Sequence, residues 1–465
     1  MLGTQLTALT DGHPAGLTDA LDLVAGVDAA LAHGLARVGE ADAAALASLA
    51  AALGTTPLAD LVAEAVDKIC AGSVTPEHLA ALAGARSALL GAAHDALLGQ
   101  LDAALGRGRV PWSPAPPAAP SPVLAGARAW LHEVAVTGWR GVDHELVAAA
   151  GTPVEAALAA PESRRLAVLL DGLAAELRAC VPVAAMPQVP ARRWADLWAR
   201  GVLLAQDAGA VDPVTEVDRV DGRLLPLGVD VHEHDTAMQI QVHAILEPAA
   251  GGPPRLVRTA VGAAKVDTIV GPALWRLLQA YPTLLAALAQ RRGVTVADLP
   301  VRGADLRWQD DRAQLDGPVD PFAAARVLLP GAQAAATAPL DRHPAAIAEP
   351  VLLEGYAVGD HDGDLVLELD GRPLAVAVDR LPSCGPLTPE LVAASSACLG
   401  LLRWDDGRWR LQPLAVRATV KRKAVDVHTG DWACGITDAK VAKAEAKAGD
   451  AVAVLRERAG RLLRR

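Results

Sequence analysis

The sequence predicts an α+β, multi-domain chain, and three observations carry that expectation. Its 465 residues exceed what one hydrophobic core usually organises. Capping signals divide its first two hundred residues into helices. Its later half alternates apolar and polar residues at strand period, most clearly from Leu224 to Gly262. The expected order is a helical N-terminal bundle, a mixed helical region with an antiparallel meander, and a C-terminal antiparallel sheet with a terminal helix. Alanine richness, in keeping with a GC-rich bacterial genome, inflates every apparent helix because Ala is the strongest helix former.

Residues 1–106 read as the bundle. Thr18-Asp19 caps a helix ending near Gly34 to Gly39, and Ala41 to Leu53 forms a second. Thr56-Pro57 and Thr75-Pro76-Glu77 open two more, the last reaching Leu105, with Thr as N-cap and Pro where its missing N–H does no harm. Leu58, Leu61, Val62, Ala65, Val66 and Ile69 recur at three and four, as an amphipathic helix requires. Residues 107–122 form a linker whose core, Pro111 to Pro117, favours polyproline II and acts as a spacer. Helices resume over 123–210, with starts at Pro153 and Pro161. There Trp194, Leu197 and Trp198 share a helix face flanked by Arg193. Trp with Arg is an interface composition, and Trp at that spacing also serves as core.

The meander and its helix occupy 211–300. A two-residue turn at Asp235-Thr236 would pair Val231 with Ile240, Val229 with Val242, Leu227 with Ala244 and Leu225 with Leu246. A slip of one residue would bury Asp230 and His232, so the register is strongly specified. The Gly251-Gly252-Pro253-Pro254 turn leads to a third strand, Arg255 to Gly262, and Pro272 to Arg292 is helical with a break at Pro282. The hairpin's polar face carries Asp230, His232, His234, Gln239, Gln241 and His243. Imidazole and carboxylate are ligands for zinc-like metals, so Asp230, His232, His234 and His243 form a candidate metal site, with Glu233 a possible general base. A solvated sheet face is the alternative.

Residues 301–348 read as an irregular connector with one helix at Pro321 to Leu329. The region 349–465 reads as an antiparallel β domain. Its strands are Val351 to Val358, Leu365 to Leu369 and Pro373 to Val378; a helix at Thr388 to Leu399 follows, then a hairpin turning at Asp405-Asp406-Gly407, a strand at Leu414 to Val427, and a basic helix from Thr437 to Arg465. Trp404 and Trp409, with Lys421, Arg422 and Lys423, could stack bases and hold phosphates. Equally, they could be a cross-strand Trp pair with lysines blunting an edge.

Net charge of −11 argues against general nucleic-acid binding, although the chain turns basic from Arg403 onward. Five scattered cysteines with no CxxC pair fit a reducing cytoplasm. Apolar stretches are cut well before the ~18 residues a membrane helix needs. P-loop, GxGxxG, GxSxG and HExxH signatures are missing. The expectation is therefore a non-enzymatic cytoplasmic adaptor or accessory subunit acting through protein contacts, with no cofactor. One alternative is a metal-dependent hydrolase or small-ligand-binding protein using the His-rich hairpin face, with a divalent transition metal. Another is nucleic-acid contact by the basic C-terminal third.

Overall fold

A computed structural model of the chain describes residues 1–113, 124–206 and 218–448. Most of the expected Pro-rich linker, and the expected basic helix past residue 448, lie outside the described residues. The architecture is α+β: a helical layer followed by two β-barrels.

The helical layer comprises α1 (Gly3–Thr10), α2 (Leu17–His33), α3 (Glu40–Ala52), α4 (Ala59–Cys70) and α5 (Pro76–Leu105). Past the linker come α6 (Ala125–Thr137), α7 (His144–Ala148), α8 (Gly151–Ala159), α9 (Arg164–Cys180) and α10 (Ala191–Gln206). Helix α5 begins where its sequence signal stands: the Thr75 hydroxyl accepts the His78 N–H at 3.4 Å, and Pro76 is the first helical residue. Helix α4 starts later than its signal because Thr56 Oγ1 instead accepts the Leu58 N–H in the turn before it. Val62, Ala65, Val66 and Ile69 are buried, while Leu61 faces outward at 54% exposure. Helices on both sides of the linker share one core, in which Leu31 and Leu82 join Trp130, Leu170, Trp194 and Trp198. Asp28 of α2 ties them further, accepting Arg86 Nε of α5 and Arg192 Nε of α10, each at 2.6 Å.

The first barrel is built from β1 (Asp218–Glu233), β2 (Ala237–Pro248), β3 (Arg255–Ala264), α11 (Pro282–Gln290), β4 (Arg292–Arg302) and β5 (Asp305–Leu306). The first part of β1 pairs with β4 and the later part with β2, so the order β1-β2-β3-β5-β4 closes on itself. Strand β3 runs parallel to β5, and β6 (Ala313–Pro318) extends the sheet beyond β4. A five-stranded ring of this order, with a helix between its third and fourth strands, has the connectivity of an OB-type Greek-key barrel. No strand is expected between the helix ending at Arg292 and Pro321, yet β4 forms there, and the expected irregular connector over 301–348 carries β5 and β6. The alternation of β4 was hidden by a bulge. Val294 and Val296 face inward, then Asp298 (φ 53°) inserts a residue and the inward phase moves to Leu299 and Val301.

After α12 (Pro321–Leu328) the same connectivity recurs in β7 (Glu349–Glu354), β8 (Ala357–His361), β9 (Asp364–Leu369), β10 (Arg372–Val376), α13 (Pro389–Ala393), β11 (Ser395–Asp405) and β12 (Arg408–Val420). Strands β7 and β8 act as one strand interrupted at Gly355-Tyr356: β7 pairs with β11 and β8 with β9. The ring closes through β10, which is parallel to β12. The expected all-antiparallel C-terminal sheet is corrected at this pairing. The expected helix at Thr388 to Leu399 stops at Ala393, and the chain enters β11. Strand β11 is buried on both faces, so its continuous apolar run lacks the period of two that marks a half-exposed strand. The expected strand at Leu414 to Val427 is two strands, because Lys421 (φ 49°) and Arg422 (φ 66°) turn the chain into β13 (Lys423–His428). A short α14 (Ala439–Ala448) follows.

The hairpin register holds at its tip, where Val231 pairs with Ile240 and Val229 with Val242. It breaks at Leu227, where a bulge gives Leu225–Ile245 and Leu224–Leu246 in place of the expected Leu227–Ala244 and Leu225–Leu246. The bulge sends Leu224 into the first barrel and turns Leu225 and Leu227 outward. There they meet Phe322, Leu352 and Leu399 in an apolar cluster between the barrels.

Candidate functional site

The polar face of the β1–β2 hairpin is where the helical layer and both barrels converge. Asp230, on β1, is only 3% exposed. Its carboxylate accepts Arg403 of β11 at 2.5 Å and Gln412 Nε2 of β12 at 2.8 Å, and His232 Nε2 lies 3.1 Å away. Burial alone would raise the Asp230 carboxyl; the His232 hydrogen bond and the Arg403 charge overcome it and hold the carboxyl well below the usual range.

His243, two residues beyond Gln241 on β2, is also 3% exposed, and its Nε2 has no hydrogen-bond partner. Burial, with the charges of Arg258 and Arg403, pushes its pKa down to about 4. The ring is therefore neutral near pH 7.

Over this face opens a cleft of about 1200 Å³. Gln239, Gln241 and Arg258 form its barrel side, Arg403 enters from the second barrel, and Arg192, Arg193 and Arg200 come from α10. The segment 337–349 forms another wall. An adjoining cavity of about 330 Å³ shares Arg258, Asp341 and Glu349, and adds Arg109, Arg165, Arg302 and His243. Together the two hollows are lined by eight arginines and four carboxylates. The arginines are held by carboxylates such as Asp28 behind Arg192, Glu176 behind Arg193 and Asp230 behind Arg403. The guanidiniums thus face the cleft, with much of their compensating charge set behind them. His343 registers the same field: burial first, then Arg86, Arg192 and Arg200, lower its pKa to about 4.

Of the four residues expected to share a metal, Asp230, His232 and His234 line one hollow, while His243 lies apart in the cavity beside the cleft. Asp230 and His232 pair with each other, His243 lines the adjoining cavity, and His234 is exposed at the hairpin turn. Among the described residues no group of three or more His, Cys, Asp or Glu is arranged to hold a metal ion. Glu233 lines the same hollow as Asp230, His232 and His234, and accepts Lys265 Nζ at 2.9 Å.

Trp194 and Trp198 are fully buried, with indole N–H groups donating to Glu176 and to the Leu131 carbonyl, so neither ring offers a face to a partner. Arg193 stays at the cleft rim, ion-paired to Glu176. Trp404 and Trp409 are direct cross-strand partners, edge to face at 5.3 Å, and His13 packs on Trp404. Lys421, Arg422 and Lys423 are exposed at the β12–β13 turn.

Sequence reasoning missed Arg403 and Gln412 as partners of Asp230. The available signal was a charged residue closing the apolar run of β11 and an amide in the apolar middle of β12. It also missed Arg109, Arg165, Arg258 and Arg302, which lie on separate elements and converge only on folding. Among the described residues no helix is long and apolar enough to cross a membrane. No protein-family model, curated protein or solved structure matches the chain.

Proposed function

We propose that this chain is a non-enzymatic cytoplasmic protein that binds a small anionic ligand in the cleft over the β1–β2 hairpin. The observation that supports this most is the excess of guanidinium over carboxylate lining a hollow formed where three layers meet. Such junctions are where small-molecule sites are usually found. By fold-level analogy alone, the face of the second and third strands is also the ligand-binding face of OB-type barrels. Gln239 and Gln241 make no side-chain hydrogen bond among the described residues, which leaves their amides available to a ligand. The five cysteines are free thiols, in keeping with a reducing compartment.

The test is calorimetry with a panel of small phosphates, nucleotides and di- and tricarboxylates against the full chain and Gln241→Trp. The indole should fill the cleft on its barrel side. Binding by the parent and loss of at least tenfold in affinity in the variant, about 1.4 kcal/mol, is expected. Equal binding by both would place the ligand elsewhere and sink the reading.

A second reading, the adaptor, has Leu61 (54% exposed) on α4, with Leu158 (50%) and Val168 (68%) on α8 and α9, in its favour. It expects a stoichiometric protein partner in a gentle-salt pull-down, lost when Leu158 and Val168 are changed to Ser.

A further inference from the structure

We propose that the 330 Å³ cavity adjoining the cleft is a subsite for a phosphate-type oxyanion, which makes the ligand a phosphate ester or phosphoanhydride such as a nucleoside phosphate. This rests on reading the cleft as a ligand site, and narrows it to one chemistry.

Cations reach the cavity from four separate parts of the chain. Arg258 comes from β3, Arg302 from the end of β4, Arg165 from α9, and Arg109 from the segment after α5. Three of them are already oriented by carboxylates. Arg258 pairs with Asp305 at 2.5 Å, Arg165 with Asp341 at 2.5 Å, and Arg109 with Asp102 at 2.6 Å and Glu349 at 3.1 Å. A guanidinium carries five N–H donors in a rigid fork, and one carboxylate engages only part of it. The carboxylates fix the forks in place and leave several donors over on Arg165 and Arg258 for a further anion, while Arg109, which also donates to the Ala335 carbonyl, keeps one.

Donors arriving from several directions suit a tetrahedral oxyanion better than a planar carboxylate. The second, independent observation is His243. It lines the cavity, it is buried, and its Nε2 has no partner. A buried polar atom left without a partner is costly, so a ligand oxygen that pairs with it gains stability. As a neutral ring it can carry its proton on Nε2 and donate to an oxyanion. The larger cleft then takes the rest of the ligand, where Gln239 and Gln241 offer both donors and acceptors.

The experiment uses the full chain, with inorganic phosphate, ATP and succinate as probes at matched ionic strength, read by calorimetry. The variants are Arg165→Gln, Arg302→Gln and Arg165→Lys, each checked by thermal melt for retained folding. Expected are binding of phosphate and ATP but not succinate, roughly tenfold weakening in each Gln variant, and partial recovery in Arg165→Lys. Phosphate or ATP binding unchanged in both Gln variants overturns the subsite, and so does succinate binding as tightly as phosphate. If either result comes with binding that Gln241→Trp abolishes, the broader cleft reading survives and only the phosphate assignment falls. If no probe of the whole anion panel binds, both fall.

Discussion

Asp230 lies on the polar face of its hairpin yet is almost inaccessible, so its charge is tolerable only because Arg403, Gln412 and His232 surround it. Removing one member of such a set leaves the other charge buried and uncompensated. Asp230→Ala should lower stability by about 3–5 kcal/mol in urea unfolding; a loss under ~1 kcal/mol would mean the pair does not tie the barrels together. The histidines set the acid limit. His243 and His428 are each lowered to about 4, first by burial and then by nearby arginines: Arg258 for His243 and Arg291 for His428. A folded value below the unfolded ~6.5 means the neutral form is the one the fold stabilises. That contribution is complete above pH 6.5 and is lost as pH falls from 6.5 toward 4, on the order of 3 kcal/mol for each fully buried ring. Unfolding free energy measured at pH 7, 5.5 and 4.5 should fall accordingly, and His243→Gln should flatten the profile. An unchanged slope in that variant would show that His243 is not held neutral.

At the scale of single elements, the bulge in β1 decides how the two barrels meet. Gly228 sits against β12, where an added Cβ would lie 2.5 Å from Leu414 Cβ. The bulge also presents both backbone groups of Val229 to Thr429, whose hydroxyl accepts the N–H at 3.1 Å and donates to the C=O at 2.8 Å. Gly228→Ala should therefore cost about 1–3 kcal/mol through forced separation of the strands. Leu414→Gly in the same chain, which removes the Cβ that the new methyl meets, should return part of that loss, despite being a cavity mutation on its own. Additive losses in the double variant would show that the two side chains do not compete for one space. The bulge could not be read from the sequence. Leu224, Leu225 and Leu227 supply apolar side chains for either phase, and only the second barrel selects which ones face outward.

Across the whole molecule, two barrels of one connectivity are joined by the Phe322 cluster, and the helical layer covers their polar side. Phe322 is fully buried between them; its ring meets His428 edge to face, and the Arg417 guanidinium lies 4.9 Å from its centre. Helices α1 and α5 pack against the second barrel through Leu6, Leu9, Leu97 and Leu101. Leu399→Asp puts a charge into the inter-barrel cluster while sparing the first barrel's interior. The expected outcome is a larger radius of gyration by solution scattering with far-ultraviolet circular dichroism retained. An unchanged radius would show that the barrels do not depend on this cluster for their arrangement.

The sequence by itself determined the helices with Thr-Pro starts, the hairpin tip and its polar face, and the Trp404–Trp409 pair as one of two uses for those rings. These depend on neighbours within a few residues: a cap, a turn, or a period of two. Tertiary structure alone decided the closure of the barrels, since β4 is bulged, β5 has two residues and β11 is buried on both faces, so none of them shows a local period. It also decided the cleft. Arg109, Arg165, Arg258, Arg302 and Arg403 are scattered along the chain, and nothing local to any of them says that they face a common space. Burial and convergence are long-range properties, and they turn a polar hairpin face into a candidate site.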